Sequence, residues 1–253
     1  MWSKYVIENS AVAPKKTTRQ QWLTGVLMMG CVMTAYVLLS RLDLVMPLAQ
    51  IPAVLCLPHC SDPLPKHPRT AESQHLNSSK PLAALLEDKI LEEKISGEKT
   101  VDEKIDLQKV SLLIKKSQHR VTVFYDLEPI KSYESVFGTD PVGDKRIEGD
   151  RKTPEGIFRI RDLYPHDEWS KFIWLDYPTP SSWQKHFQSK AAGEIGLLST
   201  IGGQIGIHGV PADADGLVDT RSNWTWGCIS LKNQDVDEIY KFVTRGTVVE
   251  IVP

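Results

Sequence analysis

A basic field is what this sequence most plainly lacks. Its 30 Lys and Arg residues are outnumbered by 32 Asp and Glu, the net charge is −2, and after residue 20 the cations are dispersed rather than clustered. No nucleic acid is therefore expected as a partner, since such binding rests on a concentrated positive surface. Cysteine is scarce too, with four residues that pose separate questions: Cys31 in an apolar run, Cys56 and Cys60 as a C-x-x-x-C pair, and Cys228 alone. The Cys56/Cys60 pair is compatible with a disulfide in an exported segment or with two free thiols. A metal site with His59 lacks an evident fourth ligand. No function is assigned to the pair. The remaining composition, 41% hydrophobic and 25% charged, is ordinary for a chain of one or two globular domains.

Charge is also missing from Trp22 to Ser40, WLTGVLMMGCVMTAYVLLS. At ~1.5 Å per residue this run is long enough to cross roughly 30 Å of hydrocarbon, and it predicts one transmembrane helix over 22–40. A cleaved signal peptide is the alternative. Against it stand an apolar core longer than the usual ~7–15 residues and a poor cleavage site at Pro47-Leu48-Ala49. Lys4, Lys15, Lys16 and Arg19 precede the run, and Arg41 and Asp43 follow it. Residues 1–21 are then a cytoplasmic tail, and everything after the helix lies outside the cytoplasm.

Residues 41–106 read as a linker and short helical stalk. Pro47, Pro52, Pro58, Pro63, Pro65, Pro68 and Pro81 break any continuous helix or central strand. After a cap at Ser78 or Ser79, Leu82, Leu86 and Ile90 share one helical face, with Leu91 and Ile95 near it, until Gly97. From about residue 107 the period changes to two. Leu112 and Ile114, then Val121, Val123 and Tyr125, flank a hairpin loop at 115–120. Further short strands are expected at 135–138, 156–160, 205–207 and 248–252, with one helix at 234–242. The fold class is mainly β, a sandwich with a few short helices, over 107–253.

Two segments carry candidate chemistry. Ile205-Gly-Ile-His208-Gly209 delivers a His to a strand tip, where Gly209 permits close backbone approach. Asn223-Trp-Thr-Trp-Gly227-Cys228-Ile229-Ser230 sets a thiol beside a glycine, which gives a substrate carbonyl access to sulfur and to the backbone N–H groups of Gly227 and Cys228 as an oxyanion hole. By spacing alone, a Cys and a His 20 positions apart also suit a buried small hydrophobe and a satisfied polar group.

The order of residues says more. Ile-His208-Gly209 followed by Thr225-x-Gly227-Cys228-Ile229 resembles the signature of the L,D-transpeptidase (YkuD-like) catalytic domain. Gly149-Asp150-Arg151-Lys152-Thr153-Pro154-Glu155-Gly156-Ile157-Phe158 is similar to a second segment of that family, and Leu175-Asp176-Tyr177-Pro178 to a stretch that lines its cleft. The resemblance covers roughly 107–253 and implies an L,D-transpeptidase-type fold. It makes Cys228 the nucleophile, His208 its base and the Gly209 carbonyl the group orienting the imidazole, with no metal or organic cofactor. A thiol near 8.5 and an imidazole near 6.5 are close enough to expect an ion pair at neutral pH.

This chain departs from the family pattern twice: Trp226 stands where many members have His, and Ser230 where many have Arg. Trp226, Arg221 and Tyr177 are the candidate substrate-binding residues. The implied substrates are peptidoglycan stem peptides, and the acyl group passes to an amine on another stem or on a wall protein. Hydrolysis of the same bonds is the alternative within the family, and a non-catalytic wall-binding module is the alternative outside it.

Overall fold

The computed structural model describes residues 19–51, 79–95 and 105–253. The N-terminal tail, the Cys56/Cys60 pair, prolines 52–68, Ser78 and Gly97 lie outside the described residues. The chain divides into two compact units, Met1–Val45 and Met46–Pro253.

Helix α1, Arg19–Arg41, contains the whole uncharged run. Val26, Leu27, Met28, Met29, Val32 and Leu38 are all exposed on it. Its side chains are described only from Val26 onward, short of the ~20 residues a crossing needs. Among the described residues no helix is long and apolar enough to cross a membrane, so the expected span is not met there.

In the second unit, helix α2 is Leu82–Ile95 and the strands are β1 Val110–Lys115, β2 Arg120–Tyr125, β3 Glu128–Glu134, β4 Gly156–His166, β5 Ser170–Leu175, β6 Gly206–His208, β7 Ile229–Ser230 and β8 Val248–Val252. Helices α3 Pro180–Ala191, α4 Gly216–Asp219 and α5 Asn233–Tyr240 lie between strands in the sequence. Hydrogen bonding joins all eight strands in the order β3-β2-β1-β8-β4-β5-β6-β7. The expected sandwich of separate sheets is thus one curled sheet. The reason is β4: Gly156–Arg159 pair with β8, Ile160–His166 pair with β5, and an irregularity between Ile160 and Asp162 turns the strand from one half to the other. The chain leaving β3 then returns to the far edge, bridging Val136 to Ser230 and Gly138 to Thr225.

Alternation explains the core. Leu112, Ile114, Val121, Val123, Phe158, Ile173, Ile207, Ile229, Val249 and Ile251 form one buried cluster, to which Leu82, Leu86 and Ile90 of α2 add their shared face. The β1–β2 hairpin turns through 116–118, with His119 in the left-handed region at φ 51°. Of the expected strands, 135–138 survives only as the two isolated bridges. On α5, Val236 and Ile239 are buried in the same cluster. Strands β6 and β7 are parallel, with Ile207 opposite Ile229 and His208 opposite Ser230.

Candidate active site

That register decides which side chains meet. Ile207 and Ile229 face the core, so His208 and Ser230 face the other side, and Cys228, two positions before Ser230, shares that side. With strands ~4.8 Å apart and a rise of ~3.3 Å per residue, the diagonal from Cys228 to His208 is about 8 Å between Cα atoms, within reach of a thiol and an imidazole.

His208 is 2% exposed. Its Nδ1 lies 2.6 Å from the Gly209 carbonyl oxygen, which places the proton on Nδ1 and leaves Nε2 as the acceptor. The ring is walled by aromatics: Trp169 stacks at 4.4 Å, Phe172 lies nearly parallel at 5.9 Å, and Trp224 meets it edge-on at 5.6 Å. Burial pushes the imidazole down to about 4, against the upward pull of the Gly209 hydrogen bond. Gly209 is itself clamped. Its N–H donates to Trp169 O at 2.9 Å, and a Cβ there would lie 2.0 Å from Asn233 Oδ1. Ser230, wholly buried, donates its hydroxyl to the same Gly209 carbonyl at 3.1 Å.

Cys228 is half-buried. Thr225 braces the turn that presents it: its hydroxyl donates to Cys228 O at 2.7 Å and accepts the Gly227 N–H at 3.2 Å. Of the two expected oxyanion donors, Gly227 N–H is therefore engaged and Cys228 N–H remains. Gly227 has φ 131°, and a Cβ on it would stand 2.7 Å from Lys152 O, so both conformation and space require glycine. The thiol donates to Gln204 O at 3.6 Å rather than to His208. Burial pushes it up to about 11, opposed by the Gly206 N–H and the Lys145 charge. Burial moves the two groups apart, the imidazole down and the thiol up, away from the solvated values on which the expected ion pair rests.

The Gly149–Phe158 segment forms the wall behind Gly227. Asp150 accepts from Lys145 Nζ at 2.8 Å and from the N–H groups of Arg146, Ile147 and Lys152 at 2.7, 3.1 and 3.1 Å. Burial raises its pKa, but these donors hold the carboxyl below its ordinary value. Thr153 accepts the Gly138 N–H at 3.2 Å, and a Cβ on Gly138 would fall 2.0 Å from Arg151 O.

The three candidate binding residues part company. Trp226 is 76% exposed near Cys228 in the chain, with the Arg151 guanidinium 5.6 Å from its ring centroid. Arg221 lies 3.7 Å from Glu134 on the surface, and no hydrogen bond, ion pair or ring contact joins it to Cys228 or His208. Tyr177 is in the core, where its hydroxyl donates to Ile201 O at 3.2 Å and burial pushes its pKa well up. Among the described residues, grooves of about 690 and 600 Å³ lie away from Cys228 and His208. Sequence reasoning did not single out Trp169, Phe172, Gln204 or Lys145. The one local signal was Thr225, whose place in the T-x-G-C motif is explained by its two hydrogen bonds.

Among solved structures, Bd1075 from Bdellovibrio bacteriovorus is 18% identical with TM-score 0.41, covering 57% of this chain and 48% of its own. The helical cell shape determining protein Pgp2 from Campylobacter jejuni is 26% identical with TM-score 0.40, covering 56% and 46%. An L,D-transpeptidase from Mycobacterium smegmatis is 15% identical with TM-score 0.38, covering 57% and 59%. This chain thus spans about half the length of the first two. No curated protein matches it. The sequence model of the L,D-transpeptidase catalytic domain (YkuD) matches residues 109–251, more than half the chain and both motifs that carry Cys228 and His208, so the chain belongs to the L,D-transpeptidase catalytic domain family.

Proposed function

We propose that this protein is a cysteine-dependent acyltransferase acting on peptidoglycan stem peptides. The observation that supports the reading is the β6–β7 register, with His208 opposite Ser230 two positions after Cys228, within a matched L,D-transpeptidase domain. As Sγ attacks the carbonyl of an L-to-D peptide bond, His208 Nε2 takes the thiol proton, and the oxyanion forms against the Cys228 N–H. The tetrahedral intermediate collapses by breaking the C–N bond. His208 returns the proton to the leaving amine, and a terminal D-amino acid departs from a thioester on Cys228. An acceptor amine on a second stem or a wall protein then attacks the thioester, the C–S bond breaks, and the acceptor's proton returns through His208 to sulfur. Water in the acceptor's place gives hydrolysis by the same steps.

Proton transfer in concert with attack suits the two neutral groups better than a stored ion pair. Desolvation makes the thiolate costly until a substrate carbonyl accepts its charge. The uncharged run 22–40 and the exposed apolar side chains of α1 support an anchor in the inner membrane, with the catalytic domain outside the cytoplasm.

Incubation of the full chain with peptidoglycan carrying tetrapeptide stems, followed by mass spectrometry of digested muropeptides, tests the reaction. New cross-linked dimers support transfer, trimmed monomers indicate hydrolysis, and unchanged muropeptides reject catalysis. Either product must vanish in Cys228→Ser. A reporter fused after Pro253 that is active in the cytoplasm would reject the anchor's orientation.

A further inference from the structure

Residues 144–152, which lead into the wall behind Gly227, hold four cations, Lys145, Arg146, Arg151 and Lys152. Three have acidic partners: Lys145 with Asp150 at 2.8 Å, Arg146 with Asp144 at 3.8 Å, and Lys152 with Asp140 at 2.9 Å. Arg151 is exposed and has no carboxylate partner among the described residues. It rests instead against the face of Trp226, two positions before the nucleophile.

The base of Arg151 is held in place. Its φ is 56°, a conformation rare for a residue with a side chain, and its carbonyl accepts the Asp140 N–H at 3.2 Å while lying against Gly138. A guanidinium lying over an indole face can still present its fork of N–H donors to a planar anion. Position 230 supplies no cation on the nucleophile's side, since Ser230 is buried and donates to Gly209. Lys145 is buried and tied to Asp150.

We propose that Arg151, stacked on Trp226, forms the subsite that binds the free carboxylate of the acyl donor's terminal residue. The proposal rests on the stem-peptide reading above and names the group that such a donor must present. The distances are consistent with it. Trp226 stands two residues before Cys228, at most about 7 Å away between Cα atoms, and a terminal carboxylate lies about 4 Å beyond the scissile carbonyl, a span that a long guanidinium side chain over Trp226 covers. Arg151 would hold the leaving residue in line while contributing no proton to the reaction.

The test uses the full chain carrying Cys228→Ser, so that binding is read without turnover. Its ligands are a synthetic tetrapeptide ending in an L-to-D bond with a free carboxylate, and the same peptide as its C-terminal amide. Calorimetry is expected to show the carboxylate form binding roughly tenfold tighter, the difference one charge-assisted fork makes. Arg151→Gln, which keeps the stem and the backbone conformation, should bind both forms equally, and Arg151→Lys should restore only part of the preference. A preference that persists in Arg151→Gln, no preference with Arg151 present, or no binding of either peptide overturns the subsite. Turnover of the same peptides by the unsubstituted chain is read separately. Carboxylate-selective binding without a Cys228-dependent product would reject the proposed reaction and leave the subsite standing.

Discussion

The two sides of Cys228 differ in almost every physical respect. On one side His208 is buried, ringed by Trp169, Phe172 and Trp224, and tied through Nδ1 to a carbonyl that Ser230 also holds. On the other, Trp226 is 76% exposed and its neighbour Arg151 has solvent around it. The dry side fixes one tautomer and one ring orientation and lowers the imidazole's proton affinity. The wet side keeps a cation and an indole available without desolvating either. In the proposed reaction the contrast gives proton transfer a fixed geometry and recognition a rim that a peptide can enter.

The largest effect should come from breaking the dry side at its centre. His208→Ala should lower acylation by about 10²–10⁴-fold, and the loss should depend on pH. With His208 present, the rate should rise as pH passes about 4 and then level, because neutral imidazole takes the proton from a thiol of about 11. Without it, only pre-ionised thiolate reacts, so the rate should climb about tenfold per pH unit through neutrality. Stopped-flow acylation across pH separates the two, and parallel profiles would refute the assignment. Stability carries the same signature. The imidazole falls from an ordinary 6.5 to about 4 on folding, so its contribution is full above pH 6.5 and disappears as pH drops toward 4. Acid unfolding of His208→Ala should accordingly show a shallower pH dependence between those values.

Next in size is the clamp. Gly209→Ala would put a Cβ 2.0 Å from Asn233 Oδ1 and 2.6 Å from Trp169 O, and it should cost about 1–3 kcal/mol in denaturant unfolding. Unchanged stability would mean that α5 and the residues before β5 yield more readily than their packing implies.

Ser230→Ala tests a finer point on the same side. Removing the second donor to Gly209 O should lower kcat by a few fold, about the ~1 kcal/mol of one hydrogen bond, with KM less affected. Thermal unfolding identifies a purely structural role, which would move the melting temperature and leave kcat alone.

The smallest change belongs to the wet side. Trp226→Ala should raise KM for stem peptides about threefold, the loss of one exposed cation–π platform, and lower kcat less. A fall in kcat as large as that of His208→Ala would erase the distinction between the two sides.

Alternation made β1, β2 and β8 legible, because Leu112, Ile114, Val121, Val123, Val249 and Ile251 sit in phase with the core. Leu82, Leu86 and Ile90 were legible as a helical face for the same reason. Strand β3 was not: Glu128–Glu134 has little apolar alternation, and it forms because β2 offers it an edge. Helix α3 also escaped notice, although Pro180 at its start and the Thr179 cap are local signals.

At the site, sequence by itself picked out the candidates confined to a motif: a thiol next to glycine, a His before glycine, and a threonine two positions from the turn it braces. Tertiary structure alone decided that Tyr177 is a core residue, that Arg221 pairs with Glu134, and that Arg151 stands over Trp226. It also set the burial that pushes the thiol up and the imidazole down. Reference values bring a thiol and an imidazole together, but burial drives them to about 11 and about 4. Desolvation depends on aromatic residues drawn from β5 and the loops around Trp169 and Trp224, and no local pattern in the chain records which distant side chains will exclude water from a given ring.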